Sequence, residues 1–350
     1  MTTKKRLIIL FIKTFVISFA PMLTVILAVY SYASNTIQPP ELPQFEIVTT
    51  LPSGGYNSND LYEEQDTGDL PQIIKFEERK PYFFTFLVVG LTEGNNANTI
   101  MVASYDANTR EANIVSIPRD TIVDFQRNNR KIVAAYQVGR LHGGGHQGGI
   151  NRLKEEVTTI VGFRPDFYIR IDYEAFESMI NSVGGIEMYV PFHKRYDDPL
   201  QNLHINISAG FQVLDGRNAL HFARYRNGND PRFTITDYQR IENQQKVISA
   251  LASKLLTPAS LLRIPEFVNI FNTYIHSNLG MGELLWFANQ ARGIGDLSNL
   301  NMHTIPMLGT SGVPYWFELP DEMGIIELVN TTVNPLVRDI NTGDTRIVIQ

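Results

Sequence analysis

The run Phe83–Gly90, FFTFLVVG, is apolar at nearly every position. A strand of this kind has no face to turn to water, so it must be covered on both sides, at the centre of a layered sheet. The residues after it supply the partners. Thr99–Tyr105 and Ala112–Ile117 read as strands, joined as a hairpin across the turn-forming Asp106-Ala-Asn-Thr109. Pro118-Arg119-Asp120 stands at the end of the second of these, where proline halts the ladder and exposes its neighbours. Further on, Phe167–Ile171 reads as a strand, Tyr173–Ser182 as a helix closed by Gly184-Gly185, and Ile186–Val190 as a strand again. This β-α-β alternation predicts an α/β fold, with one domain over 82–350. Ala259–Asn272 and Gly282–Ala291 are expected to be helices in its later part.

Residues 14–40 carry no formal charge, and Lys4, Lys5, Arg6 and Lys13 precede them. Some 20 helical residues at about 1.5 Å each cross a hydrocarbon core of about 30 Å. The positive-inside rule then predicts a cytoplasmic tail over 1–13, a single transmembrane anchor over 14–33 and an extracytoplasmic linker over 34–81. Ser31-Tyr-Ala33 would also suit a signal peptidase, so a cleaved signal peptide is the alternative; the length of the apolar region favours the anchor. The chain has no cysteine, which removes disulfides, thiolate catalysis and Cys-based zinc sites. A net charge of -6 leaves no basic footprint for nucleic acid, so any phosphate recognition has to be local.

The stretch that suggests such recognition is His221–Gln245, HFARYRNGNDPRFTITDYQRIENQQ. His221–Arg226 alternates as a strand would, which predicts Arg224 and Arg226 on one face. Thr236 and Gln239 form the pattern of a capping box, so a helix starts near Asp237 and carries Asp237, Arg240 and Gln244 along one side. Helix N-termini attract anions and guanidinium forks match phosphate oxygens. The plain alternative is a solvated pair of strand arginines. Elsewhere the chemistry is thinner. The Gly-rich segment His142–Gly149 has no Gly-Lys-Ser/Thr and so is no P-loop, and His142 and His146 lack a third metal ligand. It reads as a flexible lid or connector, and Asp197-Asp198 as a solvated loop pair. Neither a Gly-x-Ser-x-Gly elbow nor a His-Glu-x-x-His helix is present.

Taken in order, FLVVGL (86–91), NTIMVASYDANTREANIVSIPRDT (98–121), KIVAAYQVG (131–139), FYIRIDYEAFESMINSVGGIEMYV (167–190), ALHFARYR (219–226) and Asp237-Tyr-Gln-Arg240 with Gln244-Gln245 resemble the LytR-CpsA-Psr family of membrane-anchored cell-envelope proteins. The resemblance implies a central mixed sheet between helices, with an apolar groove for a polyprenyl chain. It implies a phosphotransferase that attaches a glycopolymer, teichoic-acid-like or capsular and carried on polyprenyl diphosphate, to peptidoglycan or another wall acceptor. The resemblance assigns diphosphate binding to Arg119, Arg224, Arg226 and Arg240. It also matches Asp120, Asp237 and Gln244, and less directly Lys131, to the family's site. Asp120 would orient an arginine or a catalytic group, Asp237 would orient arginine or help to deprotonate the acceptor, and Gln244 would bond phosphate. The chain departs from the pattern where the family has two metal-binding aspartates: Thr92 and Asn98 stand there, and Asn96 replaces an arginine. Magnesium would then have to be held through substrate phosphate and non-standard ligands. The same departure motivates an alternative, a catalytically impaired relative that binds lipid-linked precursors or partners without turnover.

Overall fold

The computed structural model describes residues 37–42, 46–49, 73–92, 94–125, 129–199, 203–257, 260, 263–291, 297–311 and 316–348. The expected tail and anchor, and most of the expected linker, lie outside these. Among the described residues no helix is long and apolar enough to cross a membrane.

Two short strands, β1 (Glu46–Thr49) and β2 (Ile73–Phe76), pair antiparallel ahead of the main body. The apolar run is β3 (Phe83–Leu91), followed by β4 (Ala97–Asp106) and β5 (Glu111–Ser116). With β6 (Phe167–Ile171), β11 (His276–Ser277) and β12 (Leu300–Thr304) they form a six-stranded sheet among the described residues, in the order β11-β6-β3-β4-β5-β12. β4 lies antiparallel to both neighbours, whereas β6 and β12 lie parallel to β3 and β5. The sheet is mixed, with β3 near its centre.

Side chains alternate across the sheet, so each face can be read from the register. Leu87, Val89, Ile100, Val102 and Val115 enter a core closed by the helices Gly145–Val161 and Glu322–Thr332. The other face carries three rows beyond the Phe84–Tyr105 pair. Phe86 is opposite Ala103 and Phe167, Val88 opposite Met101 and Ile169, and Gly90 opposite Thr99 and Ile171. Phe84 and Phe86 are covered edge-on by Phe287 of the helix Met281–Ala291. The Val88 and Gly90 rows instead floor a cavity.

The local expectations for β3, β4, β5, β6 and the helix Tyr173–Ser182 agree with the structure to within two residues. Other expectations are corrected. Ile186–Val190 is a strand, β7, but it pairs with β10 (Gly210–Leu214) in a separate two-stranded sheet and not with β6. Asp197 and Asp198 are no loop: they close β8 (Lys194–Asp198), paired with β9 (Leu203–Ile207), where Asp197 contacts His204 at 3.0 Å. These two small sheets pack with nearby helices around a second core that includes Ile186, Ile205, Phe222 and Tyr225. Of the expected helix Ala259–Asn272, residues 259, 261 and 262 lie outside the described residues, Ser260 is helical, and a helix Ile264–Tyr274 covers the rest, with Pro265 in its first turn.

The Gly-rich segment is helical. A wide, π-type helical turn over Arg140–Gly144 leads into Gly145–Val161, which packs on the short helix Ala135–Gly139. A Cβ on Gly139 would stand 2.3 Å from the Gly148 carbonyl oxygen, and one on Gly149 would stand 2.9 Å from the Tyr136 ring. The glycines serve close approach of two helices, which a composition-based reading takes for a loop. His146 is used internally, with Nδ1 2.6 Å from the Tyr136 hydroxyl and 2.7 Å from Arg170 Nη1.

Candidate active site

Three segments meet at the end of β5. The first is the turn Pro118–Thr121, held by the Thr121 hydroxyl donating to the Pro118 carbonyl at 2.6 Å. The second is the N-terminus of the helix Asp237–Leu255. Its capping box is complete: Thr236 Oγ1 accepts from Gln239 N, and Gln239 Oε1 accepts from Thr236 N. The Gln245 amide fixes this helix to the sheet by donating to Ser116 Oγ at 3.1 Å and to the His303 carbonyl at 3.0 Å. The third is the Arg224–Arg226 segment.

That segment is not a strand. Asp215 accepts from Asn218 N and caps a helix over Gly216–Arg224, whose buried Ala219, Leu220, Phe222 and Ala223 follow helical spacing. Arg224 is the last helical residue and Arg226 follows it, on either side of the fully buried Tyr225. They do not share a strand face. Arg224 lies with its guanidinium carbon 4.3 Å over the Tyr173 ring, where it lines the cavity. The charge of Arg226 reaches Arg240.

The cluster is densely charged. Lys131 Nζ is 2.9 Å from Asp120 Oδ1, and Arg119 Nε is 3.8 Å from the same carboxylate. Arg240 Nη2 and Arg119 Nε approach Asp237 Oδ1 at 2.9 and 3.7 Å. Arg240 is 5% exposed, and burial, with the charges of Arg119 and Arg226, outweighs Asp237 and Asp120 to push its pKa down to about 10. Proximity is not alignment here. Arg119 Nε, Arg240 Nε and Nη2, and both Asp237 carboxylate oxygens are buried with no hydrogen-bond partner among the described residues. Unsatisfied buried guanidinium donors are costly, and an oxyanion in their midst would relieve them.

Beside these donors lies a cavity of about 150 Å³. Val88, Met101, Ile171 and Ile248 make its apolar wall, while Asn98, Arg224, Arg240 and Gln244 stand on the polar side. Gly90 keeps its floor low, since a Cβ there would stand 2.9 Å from Thr99 Cβ. The structure thus brings together Arg119, Asp120, Lys131, Asp237 and Arg240 as one cluster, and joins Arg224 and Gln244 to it through the cavity.

Asn98 and Thr92 are otherwise engaged. Asn98 Oδ1 accepts from Arg119 Nη1 at 3.2 Å, and Thr92 Oγ1 accepts from Asn96 N at 3.3 Å inside the turn between β3 and β4. An oxygen that faces a guanidinium and one that closes a turn do not fit a divalent cation. No group of three or more His, Cys, Asp or Glu suited to a metal occurs among the described residues.

One member of the cluster has no local sequence signal. Glu318 of β14 (Phe317–Pro320), which pairs with β13 (Met307–Ser311), is 4% exposed and accepts from the Tyr238 hydroxyl at 3.1 Å. Trp316, just before β14, stacks near Lys131, whose Nζ is 5.4 Å from the ring centroid.

Residues 60–327 match the family model for the LytR_cpsA_psr family. The chain belongs to that family. It is 26% identical over 235 residues to the polyisoprenyl-teichoic acid–peptidoglycan teichoic acid transferase TagV of Bacillus subtilis, covering 65% of this chain and 57% of that protein. It is 33% identical over 194 residues to the probable cell wall biosynthesis protein LcpB of Corynebacterium glutamicum, covering 54% of this chain and 42% of that one. The chain thus spans about half the length of the curated relatives it matches. The crystal structure of B. subtilis TagV superposes with a TM-score of 0.58 at 24% identity, over 72% of this chain and 96% of that one, which shows the shared fold.

Proposed function

We propose that this protein is a phosphotransferase that moves a glycopolymer from a polyprenyl diphosphate carrier to a hydroxyl of peptidoglycan or another cell-wall acceptor. The observation that carries this reading is the set of buried, unpartnered donors on Arg119 and Arg240 beside a cavity with an apolar wall. A diphosphate would fill the donors and its prenyl tail the cavity. The transferase name borne by TagV supports the same reading.

In this mechanism Arg119, Arg224, Arg226 and Arg240 hold the diphosphate, with Gln244 donating its amide. Asp237 and Asp120 orient the cations: Asp237 faces Arg240 and Arg119, and Asp120 faces Lys131. An acceptor hydroxyl attacks the phosphorus next to the glycan and polyprenyl phosphate departs. Phosphoryl transfer asks for position and charge neutralisation more than for covalent help. Because Asn98 and Thr92 do not fit a divalent cation, no step is assigned to one. The anchor over 14–33 would hold the domain at the outer face of the cell membrane, within reach of carrier and wall.

A second reading, a precursor-binding protein without turnover, draws on the same two residues. Incubating the full-length protein in lipid nanodiscs with a polyprenyl diphosphate glycan and peptidoglycan oligomers separates the two. The transferase reading expects polyprenyl phosphate and glycan-linked acceptor, and a loss of about 10²–10³-fold in Arg224→Ala or Arg226→Ala, the usual effect of removing one oxyanion donor. Carrier binding without product supports the second reading. Turnover unchanged in both variants overturns the first.

A further inference from the structure

Three carboxylates share the cluster, and they are not equivalent. Asp120 has Lys131 at 2.9 Å, and Asp237 has Arg240 at 2.9 Å. Each stands against a cation and so serves to orient charge. Glu318 is the third, and no Lys or Arg lies within ion-pair distance of it among the described residues. Its side chain meets the Tyr238 hydroxyl. Its backbone is bound to the arginine-bearing turn: Glu318 N donates to the Asp120 carbonyl at 3.0 Å, and Ile122 N donates to the Glu318 carbonyl at 3.1 Å. β14 therefore carries Glu318 into the site at a fixed height. Tyr238 follows Asp237 on the helix and is 42% exposed, so it connects a buried acid to the protein surface.

We propose that Glu318, acting through Tyr238, takes the proton of the acceptor hydroxyl during transfer. The inference rests on the transferase reading and deepens it. As the acceptor oxygen forms its bond to phosphorus, the bond from phosphorus to the bridging oxygen breaks, and that electron pair leaves with polyprenyl phosphate. The acceptor proton passes to Tyr238 Oη while the Tyr238 proton passes to Glu318 Oε2. Glu318 changes from carboxylate to carboxylic acid and later returns the proton to water by the same route. No other reactant is consumed.

The surroundings of Glu318 suit this work. Burial raises its pKa above the ordinary glutamate range, and the nearby charges of Asp237 and Asp120 add to the rise. The Tyr238 hydrogen bond and the charge of Lys131 oppose it. A carboxylate so placed is a better proton acceptor than a solvated one, and neighbouring acids with differing environments are how one site separates its charge-orienting and proton-moving groups. Sequence patterns carry none of this, because Glu318 lies 80 residues from Tyr238.

Glu318→Gln keeps an oxygen for the Tyr238 hydroxyl but cannot accept a proton; Tyr238→Phe keeps the acid but breaks the relay. The test compares kcat from pH 4.5 to 8.5 for wild type and both variants, with affinity for geranylgeranyl diphosphate measured alongside. The expected result is a kcat lower by about 10²–10⁴-fold in each variant, the usual span for a lost general base. Geranylgeranyl diphosphate affinity should be unchanged. The acid limb of the wild-type profile, lying above the ordinary glutamate range, should vanish in Glu318→Gln. Wild-type turnover retained in Glu318→Gln with the same acid limb overturns the inference and leaves the transferase reading standing. No turnover in wild type overturns both. Should Glu318→Gln not fold, Tyr238→Phe decides the matter alone, since its hydroxyl is the only atom removed.

Discussion

Arg240 Nη2 stands 2.9 Å from Asp237 Oδ1, yet the two are not aligned as a hydrogen bond. Two guanidinium groups, those of Arg240 and Arg119, crowd this one carboxylate inside the protein. Its charge is therefore needed even before substrate arrives. Asp237→Asn is expected to lower stability by about 3 kcal/mol, because removing one partner leaves buried charge uncompensated. Pyrophosphate should restore most of it, since a ligand at a hundred times its Kd stabilises by about 2.7 kcal/mol. Urea unfolding of wild type and variant, with and without pyrophosphate, checks both. A variant that pyrophosphate does not stabilise would remove the anion from the site.

Gly90 sits on the cavity floor opposite Thr99, with no room for a Cβ. Gly90→Val should overpack the sheet at a cost of about 1–3 kcal/mol and fill the space assigned to the prenyl chain. The expected outcome separates tail from head group. Affinity for a long prenyl diphosphate falls while affinity for pyrophosphate stays at the wild-type value, both measured by calorimetry. Equal losses for the two ligands would place the tail elsewhere.

Lys194 is buried under three rings, with Nζ 4.4 Å from the centroids of Phe192 and Tyr225 and 4.9 Å from that of Phe222. Burial, with help from the Lys246 charge, pushes its pKa from 10.5 down to about 8. Between these values the unfolded chain binds a proton that the folded chain does not, so stability rises with pH through that window. The penalty is fully present below about pH 8 and is gone above the unfolded value. Lys154, whose Nζ donates to the Pro165 and Asp166 carbonyls, is also pushed down to about 8 by burial and acts in the same direction. Lys194→Met should therefore shrink the alkaline rise without abolishing it, and should be no less stable than wild type at pH 7. Urea midpoints at pH 7, 8, 9 and 10 read this directly.

What could be read from the chain itself is what neighbouring residues decide. The apolar run Phe83–Gly90 required a central strand, and Thr236 with Gln239 required a helix start; both stand in the structure. The Arg224–Arg226 spacing misled because two arginines two apart imitate a strand. The Asp215 cap and the apolar spacing from Ala219 to Ala223 carry the helical signal, and they outweigh it. Glycines at His142–Gly149 misled for a similar reason, since close helix contact and loop freedom call for the same residue. Glu318 and Trp316 had no signal at all, and the Gln244-Gln245 motif gave no hint of the clamp that Gln245 forms. Each acts through a partner far along the chain, and pairings of that kind follow from sheet order, which local pattern does not encode.

Thr92 and the start of β4 bear on metal, because neutral side chains stand there where the family resemblance implies an acid pair. Asn98 presents a neutral oxygen to Arg119, and Thr92 spends its hydroxyl inside the turn. Wild-type transfer is accordingly expected to persist in EDTA. Thr92→Asp with Asn98→Asp would supply two anionic oxygens of the kind magnesium takes. Without metal those oxygens repel the diphosphate, and each tenfold loss of rate corresponds to about 1.4 kcal/mol of added barrier. The double variant should thus be slow in EDTA and recover with added magnesium, whereas wild type responds to neither. Asn98→Asp alone should tighten the hold on Arg119, drawing it from Asp237 and weakening pyrophosphate binding without creating a magnesium requirement. A wild-type rate that collapses in EDTA would mean that other oxygens hold the ion, and that Arg119 turns away from Asn98 when substrate binds.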